Sequence, residues 1–290
     1  MNLIIDASNI IHRSFWIANK TGGDEQEVGS LQAYIFLRTL KSYFDKFKPD
    51  NVYCVWDKKL EPETLCFRKV VAAETYKTNR DAERTEKVYQ HYSVIEEYID
   101  ALGCYNVFPF AMEGDDVIAY LTRRLEAPMI IVSADKDLLQ LVNNKVSFYD
   151  VNKKCIINMD NFKNYTEVLP EDFVQYKCLI GDPADNIARI AAPAKAKKIL
   201  LKTVVLNEEQ KLQLEQNFIL TDLHNSYDRQ QGELDKMNAQ FDNLKTAGTF
   251  KKFLELCKKH QMNNIIDKQQ EWLQTFYTHK SLHNIVNMFK

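Results

Sequence analysis

Three short apolar runs, each leading to an aspartate, constrain this chain most. Leu3-Ile4-Ile5 closes on Asp6, Val52-Tyr53-Cys54-Val55-Trp56 closes on Asp57, and Met129-Ile130-Ile131-Val132 reaches Asp135 after Ser133-Ala134. Runs this short and this apolar read as strands buried on both faces. Between them apolar residues recur at helical spacing, first Leu31, Ile35, Leu37, Leu40 and Phe44, then Val94, Ile95, Tyr98, Ile99 and Leu102. Strands alternating with helices predict an α/β fold, a mostly parallel twisted sheet flanked by helices. Ligands of such sheets gather at the carboxyl ends of the strands, where these three aspartates are expected to converge. One of them alone could be a helix N-cap or a turn residue. Three in the same topological position point to a site.

The stretch from Phe110 to Leu141 adds to the acids. Residues 114–125 read as an amphipathic helix with Val117, Ile118, Leu121 and Leu125 on one face, and Glu113, Asp115 and Asp116 fall at its start. A single acid there would satisfy the helix dipole. Three in four residues exceed that need. Asp135 and Asp137 flank Lys136 at the head of a second apolar turn, spaced so that they could serve two different ions. Carboxylates crowded beside a core repel one another and lose hydration, so a fold tolerates them when cations neutralise them. The expectation is a magnesium site. Further on, Pro170 opens a helix that Gly181 is suited to close, and Asp182-Pro183-Ala184-Asp185-Asn186 follows. That acid pair is ordinary loop chemistry by itself and gains meaning only from the earlier cluster.

Charge gives a weaker signal. A formal net charge of -2 argues, as a sum, against a nucleic-acid partner. Acids gathered in a metal site lower that sum while bound cations restore positive potential, so the distribution matters more. Two stretches are basic. Residues 58–92 carry Arg68, Lys69, Lys77, Arg80, Arg84 and Lys87 among Phe67, Tyr76 and Tyr89, although Glu74, Asp81, Glu83 and Glu86 could pair with these bases on a solvated helix. Residues 187–206 carry Arg189, Lys195, Lys197, Lys198 and Lys202 with no acid among them. The six cysteines show no Cys-x-x-Cys pair, which fits reduced thiols in a cytosol-like compartment. The first strand starts at once and leaves no room for a signal segment, and no stretch approaches the length of a membrane span.

At this point the residues carry a family likeness. Ile-Asp-Ala-Ser-Asn at 5–9, Val-Trp-Asp at 55–57, Phe67-Arg68 with Tyr76-Lys77-Thr78-Asn79-Arg80, Glu113-Gly114-Asp115-Asp116, Ser133-Ala134-Asp135-Lys136-Asp137 and Gly181-Asp182-Pro183-Ala184-Asp185-Asn186 occur in one order across residues 1–190. Together they resemble the 5′-nucleases of the flap-endonuclease class, which takes in phage 5′-to-3′ exonucleases, the T-even phage ribonuclease H and the 5′-nuclease domains of bacterial DNA polymerases. The resemblance implies a PIN-like core with two magnesium ions, manganese being a substitute. Asp6, Asp57, Glu113, Asp115 and Asp135 correspond to the tighter site, Asp116 to its edge, and Asp137, Asp182 and Asp185 to the second site. Lys77 and Arg80 match positions facing the scissile phosphate. Residues 58–92 correspond to an arch or clamp that passes a single-stranded 5′ end, with Arg68, Tyr76 and Arg84 as nucleic-acid contacts.

The implied substrates are DNA with a 5′ flap or overhang and RNA–DNA hybrid, cut in DNA replication to a 5′-phosphate and a 3′-hydroxyl. The implied partners are a single-stranded-DNA-binding protein or a sliding clamp, with no membrane, for a monomer in the cytoplasm, the host's if the chain is phage-encoded. A core of 1–165 and a helical duplex-binding subdomain of 166–290 are expected. Arg189, Lys195, Lys197 and Lys198 fall where the family grips duplex phosphates through a Gly-x-Gly turn, but Ala191-Ala192-Pro193-Ala194 stands in its place. Alanine does not readily take the positive φ of glycine, so duplex binding is expected to rest on the lysines and to be salt-sensitive. Residues beyond Asn207 read as polar helices without a catalytic motif, and His12, His279 and His283 read as structural or exposed. A PIN-type ribonuclease and a non-catalytic relative are the competing readings. The arch-like segment and the Asp182–Asp185 motif weigh against the first, and the full acidic set weighs against the second.

Overall fold

The computed structural model describes residues 1–278 apart from 59, 61–64, 73–75, 78–81, 225, 227–229 and 247. In chain order the elements are β1 (Asn2–Asp6), α1 (Ala7–Lys20), α2 (Glu25–Phe47), β2 (Asn51–Val55), α3 (Phe67–Val71), α4 (Ala82–Tyr89), α5 (Tyr92–Ala101), β3 (Tyr105–Val107), α6 (Gly114–Arg124), β4 (Met129–Ser133), β5 (Val146–Asp150), β6 (Cys155–Ile157), α7 (Phe162–Thr166), α8 (Phe173–Ile180), α9 (Pro193–Leu200), α10 (Glu208–Thr221), α11 (Gln231–Asp242), α12 (Phe250–Lys259), α13 (Asn263–Ile266) and α14 (Gln269–Leu273). A 3-10 turn, Lys136–Leu141, follows β4. The architecture is the mostly parallel sheet flanked by helices that the alternating pattern predicts. The chain forms two compact units, Met1–Trp56 with Ala82–Val107 and Gln240–Lys290, and Asp57–Asp81 with Phe108–Ala239.

In the first unit β1, β2 and β3 run parallel in the order β3-β2-β1, with Asp6 opposite Val55. Leu3, Ile4, Ile5, Val52 and Cys54 are fully buried, as strands covered on both faces must be. Helix α2 is started by a reciprocal cap, Glu27 N–H donating to Asp24 Oδ1 at 2.9 Å and Asp24 N–H to Glu27 Oε2 at 3.2 Å. Gly29 lets α2 approach His91, since a Cβ there would sit 2.3 Å from the imidazole. The late helices complete this core. Phe253 stacks on Trp272 and Trp272 on Phe276, which meets Phe44 of α2 at 4.3 Å, while Tyr98 Oη donates to Leu256 O at 3.1 Å.

In the second unit β4 and β5 are parallel and β6 turns back antiparallel on β5. Helix α6 buries Val117, Ile118 and Leu121, the face its periodicity predicts. Leu179, Ala191, Ala196 and Ile199 form a smaller core joining α8 and α9, against which Leu214 of α10 packs. Among the described residues no helix is long and apolar enough to cross a membrane.

Candidate metal and nucleic-acid site

The acids of the second unit are fixed first through the backbone. Asp57 Oδ1 accepts from Gly114 N–H at 2.9 Å, so the residue after β2 caps α6. Asp116 Oδ2 accepts from Glu113 N–H at 3.1 Å in the first turn of the same helix. Asp135 Oδ1 accepts from Asp137 N–H at 2.8 Å and heads the 3-10 turn, and Asp182 Oδ1 accepts from Ala184 N–H at 2.8 Å. In the first unit Asp6 caps α1 through Asn9 N–H at 2.9 Å. The capping role and a site role are compatible, because each of these contacts uses one carboxylate oxygen.

Gly181 shapes the downstream loop. Its φ is +66°, and a Cβ would lie 2.6 Å from Ile187 O, so a side chain there would disrupt the Asp182–Ile187 bridge on which both acids hang.

Among the described residues, three cations stand among these acids. Arg68 is 1% exposed and grips Asp116 with both terminal nitrogens, Nη1 to Oδ2 at 2.6 Å and Nη2 to Oδ1 at 2.7 Å. Its Nη1 also reaches Glu113 Oε2 at 3.4 Å, and its Nε donates to Leu220 O at 2.8 Å. Lys77, held at φ 55°, donates from Nζ to Glu113 Oε1 at 2.8 Å and stands 3.7 Å from Asp185 Oδ2. Lys177 Nζ lies 2.6 Å from Asp137 Oδ1 and 4.0 Å from Asp182 Oδ2. Lys177 is invisible as a site residue in the sequence. Its only signal is a base in the last turn of α8, just ahead of Gly181-Asp182.

The electrostatics follow from these contacts. Burial alone would raise Glu113, yet Lys77, Arg68 and the hydrogen bonds from Lys77 and Tyr76 hold its carboxyl below the usual range. Asp135 is exposed at its surface, yet lost hydration where it meets the protein, then the charge of Asp137 and more weakly that of Asp185, pushes it up to about 6. Burial lowers and Asp137 more than restores Lys177, which stays above the ordinary ammonium value.

Two of the expected nucleic-acid contacts are buried. Arg68 is locked in the fork on Asp116, and Tyr76 is 5% exposed with its Oη donating to Glu113 Oε2 at 2.9 Å. Arg68 pairs the charge of Asp116, which is fully buried. Asp116 itself has both oxygens in that fork.

The other residues singled out by the sequence fall in varied settings. Arg80 lies outside the described residues, as do His279 and His283, and of Arg84 only the helical backbone is described. Arg189, Lys195 and Lys198 are exposed, while Lys197 is ion-paired with Glu167. The turn at 191–194 has no positive φ, Ala192 taking −65°, and the N–H groups of Ile190 and Ala191 both turn inward to Leu179 O. An alanine turn therefore fits here without strain.

Among the described residues no three acids, histidines or cysteines stand close enough together to hold a metal ion as placed. The donor set nonetheless suits one. It is made of hard carboxylate oxygens, which magnesium and calcium prefer.

Known proteins resemble this chain both in sequence and in fold. The model of the 5'-3' exonuclease N-terminal resolvase-like domain matches residues 1–167. A 5'-3' exonuclease of Mycoplasmopsis pulmonis is 28% identical over 192 residues, which is 65% of this chain and 61% of the relative's length. Bacteriophage T5 D15 protein co-crystallised with metal ions superposes with a TM-score of 0.67 at 20% identity, covering 83% of this chain and 98% of that one. The T5 flap endonuclease in complex with DNA and metal ions gives a TM-score of 0.64 at 19% identity, covering 89% of this chain and all of the other. Likeness at this identity concerns the fold, whereas the match over residues 1–167 spans more than half of the sequence: the chain belongs to the 5'-3' exonuclease family.

Proposed function

We propose that this protein is a divalent-metal-dependent, structure-specific 5′-nuclease that trims 5′ ends and flaps, and RNA primers paired with DNA, during DNA replication. The observation that carries the reading is the gathering of Glu113, Asp137, Asp182 and Asp185 around the ammonium groups of Lys77 and Lys177. Carboxylates grouped around two ammonium groups form an oxygen donor set suited to divalent cations. The T5 structures, crystallised with metal ions and in one case with DNA, support the same reading.

Asp57, Glu113, Asp115 and Asp135 are proposed for the tighter ion, Asp6 joining them through the sequence resemblance, and Asp137, Asp182 and Asp185 for the second. Magnesium is the proposed ion, with manganese as a substitute. Divalent ions held by these carboxylates would supply an activated water and charge neutralisation for the leaving 3′-oxygen. Lys77, released from Glu113, is proposed to meet the scissile phosphate and to stabilise its developing charge, with Arg80 beside it. Exposed Arg189, Lys195 and Lys198 are proposed to hold duplex phosphates. The test is incubation with labelled 5′-flap DNA and RNA-primed duplex, in magnesium or chelator, alongside Asp135→Asn. Loss of cleavage in chelator and in the variant is expected, and cleavage indifferent to both would sink the proposal.

A further inference from the structure

Three acid-bearing segments of the second unit are tied to the C-terminal end of one helix, α10, which lies beyond the residues matched by the family model. Asn217, 1% exposed, donates from Nδ2 to Cys178 O at 2.7 Å and to Ala188 O at 2.8 Å. Those carbonyls flank the loop carrying Asp182 and Asp185. Less than a turn on, Leu220 O accepts from Arg68 Nε at 2.8 Å, and the same guanidinium holds Asp116 and touches Glu113. Next to it, the buried amide of Gln140 donates from Nε2 to Thr221 O at 3.2 Å and to Asp137 O at 2.9 Å, while its Oε1 accepts from Leu223 N–H at 2.8 Å.

We infer that the end of α10, with Asn217, Gln140 and Arg68 as positioning residues, sets the spacing of the acids so that they can take divalent ions. The inference rests on the metal reading above. Magnesium demands near-octahedral geometry with ligands at about 2.0–2.1 Å, so functional groups must be held to about 0.5 Å. The Asp137 turn, the Asp182–Asp185 loop and the Glu113–Asp116 helix start come from distant parts of the sequence. Each is joined to α10 by a buried polar side chain that bonds backbone within four residues of an acid, or bonds the acid itself. Amides and a guanidinium that only filled space could be replaced by apolar groups of the same size; these are placed where an acid has to be aimed.

The test uses Asn217→Leu and Gln140→Met, which keep volume and remove the donors, with Leu212→Ala on the exposed side of α10 as control. Calcium binding is measured by calorimetry on the full chain, flap cleavage is followed against magnesium concentration, and thermal midpoints in chelator establish folding. Outer-sphere partners of this kind change metal affinity by about 10- to 100-fold. The expected result is weaker calcium binding by that factor, an equal rise in the magnesium needed for half-maximal cleavage, and recovery of near-native kcat at saturating magnesium, with the control unchanged. A packing role alone would not give a defect that excess magnesium repairs. If either variant fails to fold, Asn217→Ser, which keeps one donor, decides by the same readouts. Folded variants with native calcium affinity and native magnesium dependence, beside an inactive Asp135→Asn, overturn the inference and leave the metal reading standing. If Asp135→Asn also binds calcium and cleaves normally, the metal reading fails and takes this inference with it.

Discussion

Lys177 Nζ sits 2.6 Å from Asp137 Oδ1, with the lysine side chain 16% and the aspartate side chain 25% exposed. An ammonium held this closely competes with any divalent ion that Asp137 would serve. Lys177→Met should therefore lower the thermal midpoint in chelator, by an amount equivalent to roughly 2 kcal/mol, less than the ~3–5 of a fully buried pair because both groups keep some solvent. The midpoint gained on adding magnesium should be larger than in the native chain. An unchanged midpoint in chelator would show that the pair does not hold the metal-free site together.

Arg68 and Asp116 make the opposite case, a pair with almost no solvent. Arg68→Met takes the opposite charge away from the fully buried Asp116 carboxylate and should destabilise the protein by about 3–5 kcal/mol in chemical denaturation. The double variant Arg68→Met, Asp116→Leu should recover much of that loss, since it removes the stranded charge. A double variant no more stable than the single one would contradict this account.

The raised Asp135 sets a pH dependence. Its carboxyl binds a proton more tightly in the fold, at about 6, than in the unfolded chain, at 3.8. In chelator its contribution to stability is therefore complete below about pH 4 and is lost as pH rises through about 6. With an ion bound the sense reverses, because the metal must displace that proton. Calcium affinity measured from pH 5 to 8 should fall by up to about tenfold per unit below pH 6 and level off above it. Asp135→Asn should flatten the chelator profile over the same window.

The lysines of α9 are not equivalent. Lys197 is engaged by Glu167, whereas Lys195 and Lys198 are exposed. Lys195→Ala and Lys198→Ala should each weaken duplex binding and reduce the slope of log affinity against log salt by about one. Lys197→Ala should have a smaller effect, and Glu167→Gln should strengthen binding. Equal losses at all three lysines would argue that the Glu167 pair is not kept in solution.

The layered fold is legible in the amino-acid sequence. Apolar runs alternate with helical periodicities, and burial on both faces leaves a signature in every residue of a strand. The acids are legible too, because carboxylates beside a core are rare enough to notice. Partners are not legible. Arg68 reads as a surface base, since only the fold brings Asp116 to it, and Lys177 reads as any helix lysine. Asn217 and Gln140 leave no mark, because an amide that aims a distant loop has no local pattern. The contacts that close the first unit are not legible either, since they come from residues after 240.

That closure bears on biosynthesis. A ribosome that has made residues 1–167 has already made the acids proposed for the tighter ion, yet it has made neither α10 nor the Phe253, Trp272 and Phe276 stack that completes the N-terminal core. Contacts of such long sequence separation form late. The nascent chain thus carries these acids before α10 and the aromatic stack have been made, and on the proposed function the metal site waits for α10.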